Sequence, residues 1–208
     1  MWTEDGPARG IVGVLLAAGV GRRFGGRDKL MHRLPDGTPI AVAAASSLRA
    51  ACDRVVAVLR PDRAQLADSL STAGCEIVLC PEADHGMGHS LAAGVRATAD
   101  AEGWLVALGD MPGIDGSSHR AVAACLESGA SLAATQYGMQ RGHPVGFAKQ
   151  WFPELSELTG DQGGRAILEE NCQHLVLCPV DDPGVILDID RRVDLMDVRT
   201  AAILQCTP

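Results

Sequence analysis

Short apolar segments alternate with segments of helical periodicity through the first half of this 208-residue chain. Four apolar segments have the length and the β-branched content of strands: Ile11–Ala17, Arg54–Leu59, Glu76–Leu79 and Trp104–Leu108. The segments between them predict helices: Ala41–Ala51, Arg63–Ala73 and Ser90–Ala99. Strands joined by helical crossovers pair in parallel, so this order predicts an α/β fold with a mostly parallel, Rossmann-like sheet covered on both faces. Ligands of such folds bind beyond the carboxyl ends of the strands.

The second half of the chain is less regular. Helical patterns occur at Ser117–Glu127, around Pro153–Leu158 and Gly164–Glu170, and from about Val193 onward. Strand patterns occur at Ser131–Tyr137, His143–Ala148, Leu175–Val180 and Val185–Asp188. No linker, repeat or change of composition divides the two halves, so we expect a single domain over residues 1–208.

Composition excludes several classes of protein. The formal net charge is -8 and aromatic residues make up 3% of the chain, which disfavours a nucleic-acid-binding protein. The seven cysteines are scattered without a C-x-x-C pair, which disfavours a disulfide framework or a zinc cluster. The first ten residues carry acids instead of a basic leader, and the apolar run after them is too short for a bilayer. We therefore expect a soluble cytoplasmic protein without a membrane partner.

A glycine-rich basic loop follows the first predicted strand, in the segment Val14–Lys29. Its glycines let the backbone approach an anion, and basic side chains concentrate there in an acidic chain. The loop is not a dinucleotide fingerprint, because Phe24 takes the place of the third glycine and no acid ends the second strand. Arg23 and Lys29 are suited to hold a triphosphate and to stabilise departing pyrophosphate. A solvated basic turn explains the loop taken alone equally well.

Carboxylates end two other predicted strands. Asp110 closes L-V-A-L-G-D-M-P, residues 105–112, where Met111-Pro112 turns the chain away from the sheet. Asp188 and Asp190 alternate in V-I-L-D-I-D, which places both on one face of a strand. Hard cations such as Mg²⁺ take oxygen ligands, so Asp110 and Asp190 are our candidate metal ligands. Asp110 as a turn or cap residue, and Asp188 as a structural hydrogen-bond acceptor, remain alternatives.

Three further patches combine glycine with polar side chains. Residues 81–91 open a predicted helix, and their glycines and Ser90 present backbone and hydroxyl groups to a nucleotide base. Residues 142–147 place His143 before a proline, and residues 160–165 contain Asp161 and Arg165 around paired glycines. Each patch taken alone is explained by a loop or a helix cap.

Together, and in this order over about residues 12–195, the motifs resemble the molybdenum cofactor nucleotidyltransferases. These MobA-like NTP transferases lie within the nucleotide-diphospho-sugar transferase superfamily. The matching segments are L-A-A-G-V-G-R-R-F-G-G with Lys29, G-M-G-H-S-L, L-G-D-M-P, G-H-P-V-G-F, G-D-Q-G-G-R and D-I-D-R-R-V-D-L. The G-H-P-V and G-D-x-G-x-R patches, and L-A-A-G in place of L-A-G-G, are most similar to the molybdopterin cytidylyltransferase branch. Arg191 and Arg192 stand where the family more often has Thr-Pro, and they either bind ligand phosphate or offset the neighbouring acids.

The resemblance implies a three-layer α/β/α sandwich and Mg²⁺-dependent transfer of CMP from CTP to the terminal phosphate of molybdopterin, with release of pyrophosphate. It implies catalytic roles for Arg23, Lys29, Asp110 and Asp190, the last two as metal ligands. It places the nucleotide against Leu16, Ala17, Ala18, Gly19, Gly21, Arg22, Gly88 and Ser90. It places the phosphorylated pterin acceptor against His143, Asp161 and Arg165, and adds a molybdoenzyme or its chaperone as a partner.

Three other functions remain open at this point. The first is a guanylyl- or cytidylyltransferase acting on another phosphorylated acceptor, because Mg²⁺ and a triphosphate impose the same residues on that half of the site. The second is an NAD(P)H-dependent reductase of a heterocyclic pigment, since some members of the broad group in soil bacteria have that role. The third is a non-catalytic carrier of the cofactor, which would not need Lys29, Asp110 and Asp190 together.

Overall fold

Seven strands form one sheet in the computed structural model, which describes residues 8–19, 21, 24 and 28–195. The strands are β1 (Ala8–Leu16), β2 (Cys52–Leu59), β3 (Glu76–Leu79), β4 (Gly103–Leu108), β5 (Leu132–Tyr137), β6 (Gln140–Ala148) and β7 (Leu175–Pro179). Their order across the sheet is β3-β2-β1-β4-β6-β5-β7. Only β6 is antiparallel to its neighbours, β4 and β5, so the remaining strands share one direction.

Helices cover both faces of this sheet. One face carries α1 (Ile40–Arg49), α2 (Ala64–Thr72) and α4 (Gly116–Glu127). The other carries α3 (Met87–Ala97), α5 (Phe152–Ser156) and α6 (Arg165–Glu170). In β1, Ile11 and Leu15 belong to the first core and Val12 and Val14 to the second, because successive side chains of a strand point to opposite faces. The predicted three-layer α/β/α sandwich with a mostly parallel sheet is confirmed.

The reversed strand β6 brings its first residues to the edge of the sheet where the parallel strands end. Val106 of β4 pairs with Val145 of β6, and the partner numbers run in opposite directions along this antiparallel ladder. Continuing the same register past Val106 brings His143 to the level of Leu108 and Arg141 to the level of Asp110. The start of β6 and the end of β4 therefore meet at one edge of the sheet.

The predicted strand at Val185–Asp188 is wrong. Residues Pro183–Ile186 form a 3-10 turn, and residues 187–190 have no regular secondary structure. Pro183 cannot donate to a strand ladder, and the carboxylate of Asp182 accepts the backbone N–H of Gly184 at 2.9 Å, which favours a turn. At the predicted closing helix, Arg192–Asp194 form a 3-10 turn and Leu195 is helical, and the rest of the predicted helix lies outside the described residues.

Among the residues that the structure describes, none of the helices is both long and apolar enough to cross a lipid bilayer.

Acid is expected to destabilise the fold through His119, which α4 holds in the core at 1% exposure. Burial lowers the pKa of this imidazole to about 3, although Asp115 opposes the shift. Between about pH 6.5 and 3 the unfolded chain binds a proton at His119 that the folded chain does not, so the free energy of unfolding falls as pH falls. The slope is at most about 1.4 kcal/mol per pH unit for this histidine. Urea unfolding at pH 7.5, 6.0 and 5.0 measures it.

His119→Leu removes the titrating group and keeps an apolar side chain in the core, so its unfolding free energy is expected to vary less with pH. His174→Gln, at an exposed position, is the control and is expected to keep the wild-type slope. A His119→Leu protein whose unfolding free energy falls as steeply as that of the wild type would contradict this account.

Candidate active site

Three carboxylates converge beyond the carboxyl end of the central strand β4. Asp110, Asp188 and Asp190 each offer an oxygen, and these oxygens lie within 4.8 Å of one another. The backbone joins the two segments directly, since Ile189 N–H donates to the carbonyl oxygen of Asp110 at 3.0 Å. Asp194 accepts the backbone N–H of Asp190 at 2.9 Å, which fixes the end of the segment. We call Asp110, Asp188 and Asp190 the acid cluster.

The ammonium group of Lys29 lies against the acid cluster. Its Nζ donates to Asp110 Oδ2 at 2.7 Å and to Asp190 Oδ1 at 3.4 Å, and the lysine side chain is 7% exposed. Gly21 allows this placement, because its φ is +61° and a Cβ there would lie 2.9 Å from the Cβ of Lys29. The structure therefore brings together Lys29, Asp110 and Asp190, which the sequence places far apart.

Burial and the neighbouring charges both affect the pKa of Asp188. Desolvation raises the pKa of Asp188, and the charges of Asp190 and Asp110 raise it further, while Lys29 lowers it. One ammonium group thus offsets only part of the negative charge of three carboxylates. An all-oxygen donor set with excess negative charge suits a hard divalent cation.

Two cavities open beside the acid cluster. One has a volume of about 310 Å³ and is lined by residues that include Leu16, Ala18, Gly19, Lys29, Ser90 and Asp110; we call it the glycine-loop cavity. The other has a volume of about 510 Å³ and is lined by residues that include Leu108, Met111, Arg141, His143, Ile186 and Asp188; we call it the β6 cavity. Leu108 lines both, and each cavity contains a carboxylate of the acid cluster.

The residues predicted to bind the nucleotide do not share one position, and Arg23 of the predicted catalytic set is taken here with them. Leu16, Ala18, Gly19 and Ser90 line the glycine-loop cavity. Ala17 is buried in the core at 1% exposure, and its N–H donates to the carbonyl oxygen of Val58 at 3.0 Å. Arg22 and Arg23 lie outside the described residues.

Gly88 has a different place from the one predicted, because it packs against a loop. Its N–H donates to the carbonyl oxygen of Gly160 at 2.8 Å, and a Cβ at this position would lie 2.6 Å from the carbonyl oxygen of Thr159. This close approach holds the 159–161 loop against the start of α3. It also explains why Asp161 lines the glycine-loop cavity.

The residues predicted to bind the acceptor are not brought together. His143 lines the β6 cavity, where burial lowers its pKa and Asp110 opposes the shift, and its Nδ1 is buried without a hydrogen-bond partner. Asp161 lies in the other cavity, on the loop that packs against Gly88. Arg165 begins α6 with a side chain 72% exposed and donates to Glu169 at 2.6 Å. Of the three, only His143 lines the β6 cavity.

Asp182 was not predicted as a site residue, although it organises the turn that leads to Asp188. It is 4% exposed, and its carboxylate accepts Ser118 Oγ at 2.7 Å and the backbone N–H groups of Asp115 and Gly184, each at 2.9 Å. The sequence D-P-G at residues 182–184 is typical of a capped turn and is the local signal that identifies it. Its partners on α4 lie too far along the chain for the sequence to indicate them.

Solved structures share the fold of this chain. A homologue of Mycobacterium tuberculosis Rv0371c from Mycobacterium sp. strain JC1 superposes with a TM-score of 0.78 at 28% identity, covering 94% of this chain and 98% of that one. A nucleotidyl transferase from Methanothermobacter thermautotroptrophicus superposes with a TM-score of 0.80 at 21% identity, covering 95% and 99%. The latter likeness is one of fold.

Residues 13–176 match the MobA-like NTP transferase domain, and the chain belongs to this family of nucleotidyltransferases. The purine catabolism protein PucB of Bacillus subtilis is 28% identical over 205 residues, which are 92% of this chain and 97% of that protein. The nicotine blue oxidoreductase of Paenarthrobacter nicotinovorans is 30% identical over 188 residues, which are 86% and 92% of the two chains. The family predicted from the sequence motifs is thereby confirmed. Neither relative is named as a nucleotidyltransferase, and one is named as an oxidoreductase.

Proposed function

We propose that this nucleotidyltransferase transfers CMP from CTP to the terminal phosphate of molybdopterin and releases pyrophosphate. The observation that carries the proposal is the acid cluster, paired with Lys29 and open to a cavity on each side. In this arrangement CTP occupies the glycine-loop cavity, and the acceptor occupies the β6 cavity. Both substrates then meet at Asp110.

The donor set of the acid cluster fits a magnesium ion. Asp110 and Asp190 would hold it, and the oxygen of Asp188 within 4.8 Å of theirs is available as a third donor. When bound there, the metal supplies positive charge to the phosphate oxygens at which negative charge develops during transfer. Because Lys29 pairs with two of the same carboxylates, it lies within reach of the same phosphates.

The chemistry needs no base from the protein. The terminal phosphate of the acceptor is already an anion, and one of its oxygens attacks the α-phosphorus of CTP. That bond forms while the bond from the α-phosphorus to the bridging oxygen breaks, and the electron pair leaves with pyrophosphate. The protein contributes positioning and charge: the backbone at Ala18 and Gly19 faces the triphosphate, and Lys29 neutralises the leaving group.

We assign the base of the nucleotide to Ser90 and Asp161, which both line the glycine-loop cavity. A carboxylate accepts hydrogen bonds from the amino group of cytosine and repels phosphate, so Asp161 suits the base better than the triphosphate. The L-A-A-G form at Leu16–Gly19 favours cytosine over guanine by resemblance to the cytidylyltransferase branch. Guanylyl transfer and a different phosphorylated acceptor are the alternatives within the same mechanism.

Thermal denaturation with nucleotides tests the donor. With Mg²⁺ present, CTP at about one hundred times its Kd is expected to stabilise the fold by about 2.7 kcal/mol, which corresponds to a rise in Tm of about 5–10 °C. GTP, ATP and UTP at the same concentration are expected to give smaller shifts, and CTP without Mg²⁺ a smaller one too. A larger shift with GTP would transfer the assignment to guanylyl transfer.

NADPH belongs in the same panel because a relative with 30% identity is named as an oxidoreductase. A shift with NADPH and none with any nucleoside triphosphate would contradict the proposed function. Release of pyrophosphate from CTP on addition of molybdopterin then tests the acceptor. If CTP were consumed only with a different phosphorylated compound, CTP would remain the proposed donor and that compound would become the proposed acceptor.

A further inference from the structure

The lining of the β6 cavity is divided between an apolar wall and a polar rim. Leu108, Met111, Val185 and Ile186 form the apolar wall. Two charged residues lie on the rim, Arg141 from β6 and Asp188 from the acid cluster. Since Asp188 repels anions, Arg141 is the lining residue that attracts them.

The side chain of Arg141 makes no hydrogen bond and no ion pair with any other residue in the described part of the chain. Most of the other described arginines hold a carboxylate or a backbone carbonyl, as Arg63 holds Asp28 at 2.7 Å and Arg96 holds the carbonyl oxygen of Ser156 at 2.6 Å. Arg141 is exposed and leaves all of its guanidinium donors available. Such a planar fork of donors matches the oxygens of a phosphate.

The position of Arg141 on β6 is fixed by its neighbours. It pairs with Gln136 of β5 in the antiparallel ladder. The next residue, Gly142, packs so closely on the 3-10 turn that a Cβ would lie 2.3 Å from the carbonyl oxygen of Val185. His143 follows, and it lines the same cavity as Arg141 and Asp188. Arg141 therefore lies beside the acid cluster, on a strand whose next residue packs directly against the turn at Pro183–Ile186.

We propose that Arg141 binds the phosphate of the acceptor, while the apolar wall at Met111 and Ile186 packs against a planar ring system of the same molecule. This assignment rests on the proposed function, which places the acceptor in the β6 cavity. A sugar would bury hydroxyl groups against the apolar wall without partners, at a cost that a planar ring avoids. The volume of about 510 Å³ is of the size that a fused ring with a phosphate requires.

Binding of simple phosphate esters tests this without CTP and without metal. We choose 1-naphthyl phosphate as the probe, with inorganic phosphate and 1-naphthol as its two halves. The wild-type protein is expected to bind 1-naphthyl phosphate about tenfold more tightly than either half. Arg141→Gln is expected to weaken the binding of 1-naphthyl phosphate about tenfold or more, because a charge-assisted contact to phosphate is lost. The same variant is expected to bind 1-naphthol as tightly as the wild type does. Arg141→Lys is expected to restore part of the affinity.

A second variant tests the apolar wall, and a variant of another arginine serves as the control for Arg141. Ile186→Ser is expected to weaken the binding of 1-naphthyl phosphate and of 1-naphthol, and to leave the binding of inorganic phosphate unchanged. Arg120→Gln, at an exposed arginine of α4 that bonds to the carbonyl oxygen of Ala50, is expected to bind all probes like the wild type. Equal affinity of Arg141→Gln and wild type for 1-naphthyl phosphate would overturn the proposal, as would no binding of that probe by the wild type. Because CTP binding is measured separately, these results are distinguishable from a failure of the proposed function.

Discussion

Asp110→Asn is expected to lower the rate of pyrophosphate release by about 1000-fold, with little change in Tm. Asp110 follows the central strand β4, belongs to the acid cluster and forms the shorter of the two ion pairs of Lys29. Asparagine keeps the size and one oxygen of the side chain but removes a negative charge. The site is therefore expected to bind the metal more weakly and to hold the ammonium group of Lys29 less firmly. Steady-state release of pyrophosphate from CTP and acceptor measures the effect.

Binding of Mn²⁺ gives a second readout that needs no acceptor. Asp110→Asn is expected to weaken it at least about tenfold, because one anionic donor of the cluster is lost. Asp100→Asn is the matched control, since Asp100 has a side chain 77% exposed and pairs with Arg54, whose own partners lie outside the acid cluster. If Asp110→Asn bound Mn²⁺ with wild-type affinity, Asp110 would not be a metal ligand. If it released pyrophosphate at the wild-type rate, Asp110 would have no role in the reaction.

Lys29→Met is expected to move two properties in opposite directions. Without the ammonium group the three carboxylates of the acid cluster repel one another more strongly, so Mn²⁺ in the absence of nucleotide is expected to bind more tightly, by about tenfold. The rate of pyrophosphate release is expected to fall about 100-fold, because the positive charge next to the leaving group is lost. Methionine keeps most of the apolar stem in a site where the lysine side chain is 7% exposed.

Lys149→Met is the control for this variant. Lys149 pairs with Glu102 at 3.1 Å on the surface and has a side chain 50% exposed, so its removal is expected to alter neither property. Lower affinity for Mn²⁺ in Lys29→Met would show that the lysine positions the carboxylates instead of competing with the metal. An unchanged rate would show that it does not act on the leaving group.

Local patterns were sufficient to predict the half of the fold that carries Lys29 and Asp110. The strands β1 to β4 alternate between two cores over their own length, so Ile11 and Val12 identify opposite faces without knowledge of the partners. Asp110 was recognisable because a glycine, an aspartate and a proline-bearing turn end an apolar run. These signals are short in range and depend on a single strand each.

The errors lie where distant segments decide the conformation. The alternation of V-I-L-D-I-D imitates a strand, but Pro183 and the capping of Gly184 by Asp182 turn the chain, and the bond from Ile189 to Asp110 holds it there. The sequence did not indicate that Asp161 lines the glycine-loop cavity, because its position depends on the contact between Gly88 and the loop at Gly160. No local pattern in either segment reveals that contact.

The reversal of β6 has a consequence for how this family diversifies. The glycine-loop cavity is lined by the ends of β1 and β4 together with the start of α3, whereas the start of β6 and the turn at Pro183–Ile186 supply most of the β6 cavity. Leu108 lines both, so most mutations in one cavity leave the other untouched. Under the proposed function, substitutions in the β6 cavity would therefore change the acceptor and conserve the nucleotide.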